Sequence, residues 1–158
     1  VVAHDIYWDE KFAAANSVKR AASVDEVFAV SDYLSLHTNL TPETRDLVRK
    51  ETIAKMKKGV LILNCARGEI VHTADIAAAL KSGQVGGYGT DVLDEEPPRP
   101  DHPLTKLPNC VVTPHIGSRT YESVVRQATT AVKNLILAMN GQKPLAQINP
   151  EVPVKKVV

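Results

Sequence analysis

Short apolar runs alternate with amphipathic stretches from one end of the chain to the other, and this alternation restricts the fold more than any other feature. A buried strand followed by an amphipathic helix is the repeating unit of a parallel sheet, because parallel neighbours need a crossover that packs on the sheet. The strand candidates are Val1 to His4, Tyr33 to Thr38, Val60 to Cys65, Gly87 to Val92 and Cys110 to Thr113. The class expected is therefore α/β, a parallel sheet flanked by helices.

Helix punctuation supports this reading. Ser23-Val24-Asp25-Glu26 has the form of a capping box and predicts a helix start. Thr41-Pro42 places a cap before a proline at a first helical position, so a second helix is expected there. A third is expected from Thr73 or Ala74 to Ser82, stopped by Gly83. The longest runs from about Thr120 to Asn140, with Val124, Val125, Ala128, Ala131, Val132, Leu135 and Met139 on one stripe and Gly141 as its stop. Such a stripe belongs to a core or an interface. Prolines at 97, 98, 100, 103 and 108 make the stretch from Asp94 to Pro108 an irregular loop between two strands. The expected organisation is one partial domain over 1–142, followed by an extended tail over 143–158.

Charge and composition exclude more than they identify. A formal net charge of +1 offers no field to gather nucleic acid or an anionic membrane, and no apolar run approaches the length needed to cross a bilayer. Cys65 and Cys110 are far apart, without the spacing of a metal site or a redox pair, and read as two core thiols in a reducing cytoplasm. No metal ligand set is expected.

Three segments each place a polar side chain just after an apolar strand: Asn64 to Val71, Asp91 to Pro97, and Val111 to Gly117. Open parallel sheets bind ligands at the carboxyl ends of their strands. Arg67, Glu96 and His115 are therefore expected to meet at one edge of the sheet despite their separation in sequence. A cation, an acid and an imidazole suit proton and hydride chemistry on an anionic carbonyl compound. Taken singly each has an ordinary structural explanation; only the ordered set points to chemistry.

These segments, with Ser35 to Thr44, Met56-Lys57-Lys58-Gly59 and Gly89-Thr90-Asp91-Val92, resemble the signatures of the D-isomer-specific 2-hydroxyacid dehydrogenases, in order and approximate spacing. The resemblance implies a Rossmann-like domain, NAD as cofactor, a small D-2-hydroxy or 2-oxo acid as substrate, and a homodimer. It gives Arg67 the substrate carboxylate, His115 the role of general acid/base, and Glu96 the task of orienting the histidine. The similar formate dehydrogenases carry Gln where this chain has Glu96, which favours hydroxy-acid chemistry. A family of corepressor scaffolds with the same fold and triad is the competing reading; it binds peptides and would show negligible turnover.

For the cofactor, the resemblance assigns Asp5 to the adenosine ribose, His37, Thr38 and Asn39 to the adenine and ribose side, and Cys65, Ala66 and Asp91 to the nicotinamide, with Arg67, His115 and Gly117 beside them. No Lys or Arg follows Asp5 among Ile6, Tyr7 and Trp8, which favours NAD over NADP. The glycine-rich turn of such folds comes roughly 20 residues before the ribose acid. Only four residues precede Asp5, so the chain is expected to lack the first strand and that turn, to bind NAD weakly alone and to have little activity.

Overall fold

The computed structural model describes residues 1–155, so the last three residues of the expected tail lie outside it. The chain divides into two compact units, one from Val1 to His115 and one from Ile116 onward.

In the first unit, β1 (Val2–Ala3), α1 (Glu10–Ala15) and β2 (Lys19–Arg20) form a small βαβ unit whose strands pair in parallel, Val2 with Lys19 and Ala3 with Arg20. Asp9 caps α1 by accepting the Phe12 N–H at 2.9 Å. Neither α1 nor β2 was expected. Lys19 and Arg20 are polar and exposed, and their strand geometry comes from pairing with β1 rather than from any apolar pattern of their own.

Ser23 caps α2 (Val24–Val30), accepting the Glu26 N–H at 3.2 Å. Glu26 reaches back one residue beyond the box, to the Ala22 N–H at 2.8 Å. Four strands follow in one parallel sheet, in spatial order β3 (Tyr33–Leu36), β4 (Val60–Asn64), β5 (Val85–Thr90), β6 (Cys110–Val112). Crossovers through α3 (Lys50–Ile53) and α4 (Thr73–Ser82) join the first three. α4 has the bounds read from the sequence, and Gly83 ends it at φ +74°, a left-handed conformation that glycine adopts without steric cost.

The helix expected after Thr41-Pro42 does not form. Residues 42–46 make turns instead. Thr44 Oγ1 accepts the Thr41 N–H at 2.8 Å and donates to the Asn39 carbonyl at 2.6 Å, and Asp46 takes φ +52°. The chain is thereby redirected so that Asp46 and Val48 donate to the Glu69 and Ile70 carbonyls, at 2.9 and 3.0 Å. Local side-chain bonds of this kind compete with a helical start.

The core lies on one face of the four-stranded sheet. Leu34 and Leu36, Val60 and Ile62, Val85 and Tyr88 point into it and meet Phe28 of α2, Ile53 of α3, and Ile76, Ala77 and Leu80 of α4. Each large side chain buried there contributes about 1.5–3 kcal/mol relative to exposure. The strands are apolar on both faces but not buried on both: Leu63 and Val111 alternate outward and are exposed.

The second unit is built around α5 (Tyr121–Met139), capped by Thr120, which accepts the Ser123 N–H at 3.2 Å. None of its residues is buried, and Val124, Val125, Val132 and Leu135 are exposed. The Leu145 N–H donates to Asn134 Oδ1 at 2.7 Å, which turns the segment after α5 back along it.

Candidate active site

The parallel register places four strand ends in one row. Leu36, Asn64, Thr90 and Val112 are successive partners across β3, β4, β5 and β6, so His37, Cys65, Asp91 and Thr113 step off the sheet together at its carboxyl edge. With strands about 4.8 Å apart, that row is roughly 14 Å long. The segments carrying Arg67, Glu96 and His115 leave the three adjacent strands β4, β5 and β6.

The turn after β4 is closed by Asn64, which is fully buried. Its Oδ1 accepts the Ala66 N–H at 3.0 Å, and its Nδ2 donates to the Arg67 carbonyl at 2.9 Å and to the Tyr88 hydroxyl at 3.3 Å. Arg67 is exposed at the tip of this turn and donates from Nη1 to the Ala66 carbonyl at 2.6 Å. Asn64→Leu fills the volume but strands the Ala66 N–H and the Arg67 carbonyl. A loss of about 2–4 kcal/mol in urea denaturation is expected.

The next residue sets how close the turn lies to its neighbour. A β-carbon built on Gly68 would fall 2.0 Å from the Leu93 carbonyl carbon and 2.4 Å from the Asp94 nitrogen. The Arg67 turn thus presses, backbone against backbone, on the segment that leads to Glu96.

Glu96 is held at both carboxylate oxygens. Oε1 accepts the Leu93 N–H at 2.9 Å, and Oε2 lies 2.7 Å from His115 Nδ1. These two bonds, His115 first, hold the Glu96 carboxyl below its ordinary value despite the opposing burial and the nearby Asp91 charge. His115 follows Pro114 in a tight turn, its N–H donating to the Thr113 carbonyl at 3.0 Å, and has φ +52°. A non-glycine residue held there costs of order 1–3 kcal/mol, a strain that the surrounding bonds must sustain. With Nδ1 on the carboxylate, Nε2 is the nitrogen left for a ligand. Arg67 has no hydrogen bond to either Glu96 or His115 among the described residues.

The residues expected around a cofactor follow several different strands. Asp5 is exposed after β1, its Oδ1 accepting the Tyr7 N–H at 2.8 Å and leaving Oδ2 for another donor. Arg20, on the neighbouring strand, is drawn onto the Trp8 ring, 5.4 Å from its centroid, and toward Glu10 at 3.7 Å. His37 Nε2 bonds the Ser35 hydroxyl at 2.7 Å, and the Thr38 hydroxyl donates to the Asn39 carbonyl at 3.4 Å. Asp91 is buried and accepts the Thr113 hydroxyl at 2.5 Å. Gly117 belongs to the second unit.

The two thiols need correction. Cys65 is exposed, because β4 ends at Asn64 and the next residue leaves the sheet. Cys110 is half-buried, and burial pushes its thiol up to about 11. Asn64, Gly68, Thr113 and His102 are structural parts of the site that received no role from the sequence; the first three lie at or near strand ends, which could have drawn attention to them, whereas His102 sits in the middle of the loop between β5 and β6. Among the described residues no group of His, Cys, Asp and Glu could hold a metal ion, and no helix is long and apolar enough to cross a membrane.

The imidazole–carboxylate pair of His115 and Glu96 thus stands at the carboxyl edge of the four-stranded sheet, and the exposed carboxylate of Asp5 follows β1 in the separate two-stranded sheet. Residues 1–117 match the family described as D-isomer specific 2-hydroxyacid dehydrogenase, NAD binding domain. The chain is 40% identical over 154 residues to a glyoxylate reductase of Thermofilum pendens, covering 95% of the chain and 45% of that relative. It is 42% identical over 149 residues to a hydroxypyruvate reductase of Blautia hydrogenotrophica, covering 94% and 45%. The NAD-complexed crystal structure of a D-isomer specific 2-hydroxyacid dehydrogenase from Lactobacillus delbrueckii ssp. bulgaricus superposes with a TM-score of 0.85 at 28% identity, covering 94% of the chain and 48% of that structure. The chain thus spans about 45% of the length of the curated relatives it matches. By that family match and these relatives, the chain belongs to the D-isomer specific 2-hydroxyacid dehydrogenases, as sequence of their NAD-binding domain.

Proposed function

We propose that this chain supplies the cofactor edge and the acid–base pair of an oxidoreductase that interconverts small D-2-hydroxy acids and 2-oxo acids. The observation that carries the reading is the 2.7 Å contact between His115 Nδ1 and Glu96 Oε2. It fixes the imidazole so that Nε2 can give a proton to a carbonyl oxygen, and the carboxylate compensates the charge the ring bears while protonated. Bound NAD(H) supplies or takes the hydride at the carbon of that carbonyl. In reduction the oxygen gains the proton from His115 and the product is the hydroxy acid; in oxidation His115 takes the proton back.

Arg67 is the residue proposed for the substrate carboxylate. Its guanidinium is exposed on the strand end next to that of Glu96, and it can turn from the Ala66 carbonyl to a bidentate anion. Asp5 is proposed for the adenosine ribose. Its carboxylate repels a 2′-phosphate, and Arg20, the nearest cation on the paired strand, is already drawn to Trp8 and Glu10.

The relatives named for glyoxylate and hydroxypyruvate reduction make these two the first substrates to try. NADH consumption by the full-length protein with glyoxylate, hydroxypyruvate and 3-phosphohydroxypyruvate tests the reading. Turnover with at least one is expected, and with NADPH at least tenfold less. Binding of NADH without turnover on any 2-oxo acid would overturn it in favour of a cofactor-sensing scaffold.

A further inference from the structure

The loop between β5 and β6 contains a second imidazole–carboxylate pair, which the proposed reaction does not use. His102 is 1% exposed, and its Nε2 lies 3.0 Å from Asp94 Oδ1. Its Nδ1 accepts the Leu104 N–H at 3.4 Å and caps the short 3-10 helix Pro103–Lys106. A ring nitrogen that accepts leaves the proton on the other, so Nε2 donates to Asp94. Asp94 also takes a hydrogen bond from Thr73 at the start of α4. Burial pushes its carboxyl up, but the bonds from His102 and Thr73 outweigh burial and hold it below the ordinary value.

Asp94 is thus an anchored carboxylate two residues before Glu96, in a loop also constrained by the Gly68 contact on Leu93, the Leu93 N–H on Glu96, the Thr90 hydroxyl on Val92 and the Arg99–Glu95 pair. We infer that His102 is a positioning residue: through Asp94 it holds the loop from Leu93 to Glu96 in place and so sets where the Glu96 carboxylate meets His115. The inference rests on the pairing described under Proposed function. Charged groups facing Glu96 are His115 and Asp91, and its own loop contributes Asp94 and the Glu95–Arg99 pair at 2.8 Å.

The competing, purely structural explanation is that His102 only caps the 3-10 helix and fills space. Two substitutions separate the two. In His102→Asn the carbonyl oxygen can stand in for Nδ1 and keep the cap, but the side chain is too short to reach Asp94. In His102→Gln the amide N–H can stand in for Nε2 and keep the bond to Asp94. Titration of the Glu96 carboxyl carbon by NMR in this chain is the readout. His102→Asn is expected to raise the Glu96 midpoint to the ordinary carboxylate value, whereas His102→Gln keeps it depressed. A folded Asn variant with the wild-type midpoint, or Asn and Gln variants that move alike, would overturn the inference. In the full-length protein His102→Asn is expected to lower kcat roughly tenfold to hundredfold with KM little changed, as a small misplacement of a catalytic group does. A shifted midpoint with kcat unchanged supports the tether and counts against the catalytic role of Glu96, so the two readings fail separately.

Discussion

Gly68→Ala is expected to unfold the chain or to leave it several kcal/mol less stable in chemical denaturation. The added methyl would sit 2.0 Å from the Leu93 carbonyl carbon, 2.1 Å from its oxygen and 2.4 Å from the Asp94 nitrogen. All three are backbone atoms, and no side-chain rotation can relieve the overlap. Either the Arg67 turn or the Leu93–Asp94 segment must move by more than an ångström. The turn is pinned by Asn64 and, beyond it, by the bonds of Asp46 and Val48 to the Glu69 and Ile70 carbonyls. Asp94 is pinned by His102. Overpacking a core commonly costs about 1–3 kcal/mol, and a clash between two fixed backbones belongs above that range. Gly83→Ala is the control. Its β-carbon would meet nothing within 4 Å and only the left-handed φ of +74° opposes it, so a cost of about 1 kcal/mol is expected. Equal losses from the two substitutions would mean that the close approach is not what Gly68 provides.

This contrast also marks what could and could not be read from the sequence. β3, β4 and β6 were legible because each is a mostly apolar run bounded by polar residues, and α2, α4 and α5 because Ser23, Gly83 and Thr120 punctuate them, whereas the glycine-rich β5 (Val85–Thr90) begins and ends two residues before the expected Gly87 to Val92. Those are local signals. The strand β2 was not legible, since Lys19 and Arg20 become a strand only through β1, and the Thr41 turn was misread because Thr44 and Asp46 act against a helix that Pro42 alone would permit. Within the site, the strand-end positions of Arg67, Glu96 and His115 followed from motif order. What no periodicity could supply is the depth of contact: that Gly68 touches Leu93, that Asn64 bonds three partners, and that a histidine in a proline-rich loop is almost wholly buried. Such features depend on residues more than twenty positions apart, or on which of two polar side chains finds the partner.

His115→Gln in the full-length protein is expected to lower kcat for 2-oxo acid reduction roughly a hundredfold to ten-thousandfold, the range that a positioned acid–base group supplies. Glu96→Gln should cost less, because the amide oxygen can still accept from His115 Nδ1 while the compensating charge is lost. If Glu96 acts only through the imidazole, the double variant should be no slower than His115→Gln alone, since removing an orienting group cannot matter once its object is gone. Multiplied losses would show that Glu96 touches the reaction independently and would sink the relay described above. The carboxylate also leaves a signature in stability. The folded-state value of Glu96 is depressed by His115 and by the Leu93 N–H. Its contribution is therefore complete above the ordinary glutamate value of about 4.3 and disappears as the pH falls through the lower folded value. The stability difference between wild type and Glu96→Gln should shrink as the pH falls below about 4. The side chain is 37% exposed, so solvent screening keeps that difference small, and its sign and window are the diagnostic features. A difference that instead grew as the pH fell below about 4 would mean that the carboxyl is protonated more readily in the folded chain than in the unfolded one, which the two bonds to its oxygens oppose.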